Sequence, residues 1–120
     1  MKIAVTATGK DLSSAVDPRF GRCPYFIIVD SDSMEFQAVE NSQNLNLPQG
    51  AGIQAGKTIA DQHADVLITG NCGPKAFKVL ELAQVKVITG AGGTVAEVVE
   101  KYKTGELQPA AQPNVEGHWV

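Results

Sequence analysis

Apolar and polar positions along the chain fall into short runs separated by glycine, proline and small polar residues. Residues 2–8 are rich in β-branched side chains and stop at Gly9, which predicts a first strand. Residues 25–30 form a continuous apolar run suited to a buried strand. After the turn Ser31-Asp32-Ser33, residues 35–40 alternate around Phe36 and Ala38, so the two segments predict a hairpin with its second strand at a sheet edge. Ile53, Gly56, Ile59, Ala60 and His63 recur at helical spacing and predict a helix over 50–63. Residues 65–69 and 85–89 read as buried strands. Pro74 suits the first turn of a helix over 74–83, and Thr94 can cap a last helix whose Val95, Val98, Val99 and Tyr102 share one face before Gly105.

The predicted order is βββαβαβα, an α/β protein with a five-stranded mixed sheet and helices packed on it. The two later βαβ crossovers are right-handed and make their strands parallel. Residues 1–105 form one domain, and residues 106–120, with two prolines and little apolar content, are expected to be a mobile tail. Residues 8–24 have no periodic pattern, and a loop of that length in a compact domain is usually functional or disordered. If the second strand runs antiparallel to the first, this loop lies beside the two later strand-to-helix turns.

Composition narrows the classes of function. With 120 residues, 19% charged and 43% hydrophobic, and a formal net charge of −3, the chain reads as globular and not as a basic nucleic-acid binder. No apolar run reaches the roughly 20 residues of a membrane span, and residue 1 leads straight into a strand pattern. The expectation is a cytoplasmic protein with its two cysteines, Cys23 and Cys72, as reduced thiols. Charged ends on the 35–40 edge strand discourage further pairing and favour a monomer.

An internal repeat carries the strongest chemical signal. Ile68-Thr69-Gly70-Asn71-Cys72-Gly73-Pro74-Lys75-Ala76 is echoed twenty residues later by Ile88-Thr89-Gly90-Ala91-Gly92-Gly93-Thr94-Val95-Ala96. Both copies turn from a buried strand into a helix through glycines, an arrangement that aims amides and positive helix ends at the carboxyl edge of the sheet, where open α/β sheets bind ligands. Either turn alone is equally explained by the glycine that any short βα connection needs; two adjacent copies favour an anion cradle. Cys72 precedes a helix start, where a thiolate is favoured and a soft metal can be bound, or it is a small buried residue in a tight turn. Cys23 lies in Asp17-Pro18-Arg19-Phe20-Gly21-Arg22-Cys23-Pro24-Tyr25-Phe26, beside two arginines able to meet an anion, or it packs beneath the strand that follows. Sulfur ligands suit copper, iron or molybdenum-sulfide chemistry better than magnesium or calcium.

Other motifs do not hold up. Gly50-Ala51-Gly52-Ile53-Gln54-Ala55-Gly56-Lys57-Thr58 fails the P-loop spacing because position 51 is alanine and no strand immediately precedes it. Cys72 has no arginine placed after it as a cysteine phosphatase requires. His63 at a helix end and His118 beside Trp119 are not placed as ligands.

Asp17 to Phe26, Gly50-Ala51-Gly52-Ile53 and Gly73-Pro74-Lys75-Ala76-Phe77 together resemble the dinitrogenase iron-molybdenum cofactor biosynthesis family over about residues 1–106. The resemblance implies a ribonuclease H-like topology and a cofactor-binding domain for a molybdenum-containing metal-sulfur cluster, of iron-molybdenum type or the molybdenum-copper sulfide of small stand-alone members. It puts Arg19, Phe20, Gly21, Arg22 and Cys23 on one wall, with Gly70, Asn71, Cys72, Gly73 and Pro74 and then Gly90, Ala91, Gly92, Gly93 and Thr94 opposite. Cys72 and Cys23 are the candidate metal ligands. Some cofactor-binding relatives use a histidine where Gln49 stands beside the Gly50 loop, so general cluster binding is carried over rather than direct ligation. Nuclease activity is not implied, because residues 2–8 contain no acid to hold a catalytic metal. The expected function is non-enzymatic carriage or assembly of the cluster, with a recipient or assembly protein as partner. A thiol-dependent enzyme using Cys72 or Cys23, and a small protein-interaction adaptor, are the alternatives.

Overall fold

The centre of the sheet is its first strand. β1 (Lys2–Ala7) is buried from Ile3 onward on both faces, as a strand with helices packed on both sides of its sheet is. The computed structural model describes residues 1–41 and 50–114. In it β1 pairs antiparallel with β2 (Tyr25–Asp30), which pairs antiparallel with β3 (Phe36–Glu40). On its other side β1 runs parallel to β4 (Val66–Ile68), and β4 parallel to β5 (Lys86–Ile88), giving the spatial order β3-β2-β1-β4-β5. The expected five-stranded mixed sheet is present. Three helices, α1 (Ala51–Asp61), α2 (Pro74–Leu82) and α3 (Val95–Lys103), complete the chain order βββαβαβα.

Side-chain alternation along the strands divides the core in two. Ala4, Phe26, Ile28, Leu67 and Val87 join Ala55 and Ile59 of α1 and Ala76, Phe77 and Leu80 of α2 on one face. Ile3, Val5, Ile27, Val29, Val66, Ile68 and Ile88 meet Val95, Val98 and Val99 of α3 on the other. Gly56 is part of the first packing: a Cβ there would come within 2.9 Å of Val79 Cγ1, so its lack of a side chain lets α1 approach α2. Gly56 and Lys57 therefore lie inside a helix and not in a phosphate loop.

Local chemistry accounts for most element ends. The β2–β3 turn is held by Asp30 Oδ1, which accepts the amides of Asp32 at 2.9 Å and Ser33 at 3.2 Å. α3 starts with a capping box between Thr94 and Glu97. β4 and β5 are each one residue shorter at both ends than expected.

The C-terminal segment differs from a loose tail as far as Asn114. Leu107 packs against the α3 side of the core, Ala110 against the other side, and the Ala110 amide donates to Val87 O at 2.7 Å. The segment thus crosses the outer edge of β5 from one face to the other, occupying a backbone acceptor that an open edge would expose. Residues 115–120, with His118 and Trp119, and residues 42–49, with Gln49, lie outside the described residues.

Candidate functional site

The topology brings four connections to one edge of the sheet. β1, β3, β4 and β5 end there and β2 begins there, as the pairing of Ala7 with Tyr25 and of Tyr25 with Glu40 requires. The residue 8–24 loop is not slack at this edge. The Val16 amide donates to Gly93 O at 2.8 Å, Val95 to Ser14 O at 2.9 Å and Ala96 to Leu12 O at 2.9 Å, which stitches the loop to the second glycine turn. The Asn71 amide donates to Pro18 O at 2.7 Å and Phe20 to Asn71 O at 3.3 Å, which stitches it to the first. The turns are also joined to each other, through Gly90 N–H to Gly70 O at 2.7 Å and Ala91 N–H to Thr69 O at 3.2 Å.

These bonds occupy one of the two helix ends expected to face the cradle, while the Gly92 and Gly93 amides of the same turn have no hydrogen-bond acceptor among the described residues. At the start of α3 the Thr94 amide donates to Glu97 Oε1, Val95 and Ala96 donate to the loop, and Glu97 donates to Thr94 Oγ1. All four terminal amides are satisfied within the protein, so this helix end has no donor left for an anion. Hydrogen bonding to Thr94 also lowers the Glu97 pKa. At the start of α2 the Gly73, Lys75 and Ala76 amides have no hydrogen-bond acceptor among the described residues, and no side chain caps the helix. The Cys72 amide is taken by Asn114 Oδ1 at 2.8 Å. The glycines also differ from the expected assignment. Gly90 and Gly93 have positive φ, 75° and 107°, whereas Gly92 does not and a Cβ there would touch nothing. Close backbone approach occurs instead at Gly70, where a Cβ would lie 2.6 Å from Pro18 Cα, and at Gly21, where it would lie 2.8 Å from Gly52 N at the start of α1.

The predicted site residues separate by depth. Phe20 is core, its ring centroid 5.8 Å from that of Phe26, and Gly21, Gly70 and Gly73 are buried. Arg19, Pro74, Gly90, Gly92 and Gly93 are exposed, while Arg22, Asn71, Ala91 and Thr94 are half-buried. Arg19 is held by Asp17, whose Oδ1 accepts the Arg19 amide at 2.9 Å and lies 3.5 Å from Nε. Both thiols are fully buried. The Cys23 Sγ donates to Phe20 O at 3.3 Å, and burial, with the Asp17 carboxylate second, pushes its pKa far up. Burial pushes Cys72 up to about 12. Of the two readings of Cys72, its burial favours the small buried residue in a tight turn over the thiolate: desolvation outweighs the helix end. A shallow groove of about 280 Å³ at the opposite edge, lined by Lys2, Asp30, Glu35 and Phe36 among others, holds none of these residues.

The chain matches the family model described as dinitrogenase iron-molybdenum cofactor over residues 1–105. It belongs to that family. Within it, the chain is similar to the orange protein of Desulfovibrio gigas, solved in its apo form, with 43% identity, a TM-score of 0.93, and 95% of this chain and 96% of that one covered. It is similar also to a putative NifB protein from Thermotoga, at 36% identity and a TM-score of 0.82 over 97% and 98% of the two chains. An uncharacterized protein of Methanocaldococcus jannaschii shares 30% identity across 90% of each chain. The family resemblance read from the motifs around Asp17, Gly50 and Gly73 is thereby borne out.

Two asparagines of this family member were not singled out in the sequence. Asn41 is buried, and its Nδ2 donates to Gly21 O at 3.2 Å and Cys23 O at 2.8 Å, fixing the backbone on either side of Arg22. Asn114 reaches the first glycine turn from the C-terminal segment. Neither stands in a motif; the only sequence signal is an amide side chain flanked by loop.

Proposed function

We propose that this protein binds and carries an anionic molybdenum-containing metal-sulfur cluster, of molybdenum-copper or iron-molybdenum type, and performs no catalysis of its own. The observation that carries this is the short pairing of Arg19 with Asn71, two residues before the uncapped N-cap Gly73 of α2. Amides at a helix start and a guanidinium suit a polyanion that brings its own sulfide. Among the described residues no three His, Cys, Asp or Glu side chains gather to hold a bare metal ion, which fits a preassembled cluster as cargo. In this reading Arg19, Arg22, Asn71 and the Gly73, Lys75 and Ala76 amides meet the cargo, Gly90 to Thr94 border it, and Cys23 and Cys72 support the turns without ligating. A thiol-dependent enzyme is disfavoured because both sulfurs are desolvated and protonated. We read the sheet order as ribonuclease H-like, and the protein as a cytoplasmic monomer delivering to a recipient or assembly protein.

The test is anaerobic addition of tetrathiomolybdate with copper(I), followed by visible absorption and metal analysis after gel filtration. Retained colour with molybdenum in fixed ratio to protein is expected. Arg19→Ala and Arg22→Ala should each weaken retention about tenfold, the loss of one charge-assisted contact. A colourless, metal-free product would overturn the carrier and favour the adaptor.

A further inference from the structure

Asn114 sits on the first glycine turn in the manner of a bound ligand. Its Oδ1 accepts the Cys72 amide at 2.8 Å, and its Nδ2 donates to Gly70 O at 3.1 Å and to Asn71 Oδ1 at 3.2 Å. Its own amide donates to Cys72 O at 3.2 Å. One exposed residue therefore binds three consecutive residues of the turn that leads into α2. Apart from these bonds, little holds the stretch between Ala110 and Asn114. Ala110 is hydrogen-bonded to Val87, whereas residues 111–113 add no hydrogen bond among the described residues. Segments with few buried contacts open at low free energy.

The chemistry of the contact makes it a competitor for cargo. A carboxamide oxygen on the Cys72 amide, one residue before the N-cap Gly73 of α2, is a neutral counterpart of an anion in the same place, and a charged acceptor there forms the stronger bond and gains from the nearby helix dipole. Gly73, immediately after the bonded Cys72 amide, is buried although its own amide has no described partner. Resting on the cluster-carrying reading above, we infer that residues 111–114 form a latch: Asn114 covers the first glycine turn in the cargo-free protein and lifts when an anionic sulfide cluster loads. The segment is anchored at Ala110 and swings from there, so loading frees the Cys72 amide and the first glycine turn without unfolding the sheet.

The test uses the full chain and the variant Asn114→Ala, with tetrathiomolybdate plus copper(I) as probe. Amide exchange followed by NMR should show Cys72 exchanging about tenfold faster in Asn114→Ala, the loss of one hydrogen bond, while Ile3 and Val5 of β1 exchange as in the wild type and certify the fold. Uptake should be several-fold faster in the variant, and the side-chain amide signals of Asn114 in the wild type should shift on loading. Unchanged Cys72 exchange overturns the latch, since the contact would then not be closed in solution. So does equal uptake by both proteins, or loading that leaves the Asn114 signals in place. Uptake by neither protein sinks the carrier reading and the gating role with it, whereas uptake by the variant alone supports the latch strongly.

Discussion

Replacing Gly70 by alanine tests whether the two walls of the site are held by direct backbone contact. A Cβ at Gly70 would lie 2.6 Å from Pro18 Cα and 3.0 Å from both Pro18 Cβ and Pro18 O. Carbon atoms prefer a separation of about 3.5–4.0 Å, so residue 18 has to withdraw by about 1 Å. Gly70 is not in the left-handed region, so the cost is steric. Withdrawal lengthens the bonds from Asn71 to Pro18 O and from Phe20 to Asn71 O, now 2.7 and 3.3 Å. Overpacking of this kind costs about 1–3 kcal/mol, two weakened hydrogen bonds about 1 kcal/mol more, and the entropy gained by removing a glycine from the unfolded chain offsets about 0.5 kcal/mol. The expected loss is about 2 kcal/mol, a fall of roughly 1 M in the urea midpoint at unchanged slope. Gly92→Ala is the control, since a Cβ there meets nothing and φ is not positive; it should lie within about 0.5 kcal/mol of wild type. Urea titration by far-ultraviolet circular dichroism decides the matter. If Gly70→Ala is as stable as Gly92→Ala, the 18–20 segment is not clamped to the first turn.

Asn41→Ala should cost about 2–4 kcal/mol by urea unfolding, because it strands the buried carbonyls of Gly21 and Cys23; a change below about 1 kcal/mol would mean that water replaces the amide. Cys23 and Cys72 should resist a thiol reagent at pH 8 until urea unfolds the protein, and rapid native labelling of either would contradict their burial. The Cys72 pKa rises from 9.0, the ordinary value of a solvated thiol, to about 12 in the folded state. The native protein therefore keeps a proton that the unfolded chain releases, and stability that is fully present below pH 9 falls as pH rises toward 12. Each such thiol contributes a slope of at most about 1.4 kcal/mol per pH unit. Cys23→Ala/Cys72→Ala should accordingly lose less stability than wild type between about pH 9 and 10.5, and equal slopes would refute the assignment.

The strands and helices were legible because their apolar periods were undisturbed: the run from Ile3 to Ala7 and the face of Val95, Val98 and Val99 need no tertiary information. The sheet edge carrying the glycine turns was legible for the same reason, once parallel crossovers were assumed. What the sequence could not express was where the amides point. The repeat makes Gly70 to Pro74 and Gly90 to Thr94 look equivalent, yet Leu12 and Ser14, distant in sequence, consume the donors of the second helix end and leave those of the first. Cys72 shows the complementary failure: its position before a helix argues for acidity, and only burial reveals the opposite.

How the cargo-free loop is held decides where binding should be felt. A binding loop of residues 8–24 suggests a segment that orders around its cargo, with hydrogen-exchange protection gained along its length. In the folded protein, however, the Thr8, Val16, Asp17 and Phe20 amides already donate to Ala15, Gly93, Thr6 and Asn71, and the loop's carbonyls accept from Asn71, Val95 and Ala96. Little ordering remains for cargo to impose there, which lowers the entropic cost of association. The amides with something to gain are Gly73, Lys75 and Ala76 at the start of α2, without described acceptors. Cargo should therefore raise protection at Gly73, Lys75 and Ala76 by about tenfold or more, on the scale of one new charge-assisted bond per amide, and leave residues 8–20 nearly unchanged. Amide exchange with and without tetrathiomolybdate and copper(I) measures both segments in one experiment. Protection gained mainly in the loop would mean that its hydrogen bonds to the glycine turns open in solution and that the site is assembled by the cargo; protection gained at residues 73–76 would mean that cargo docks onto a site already built.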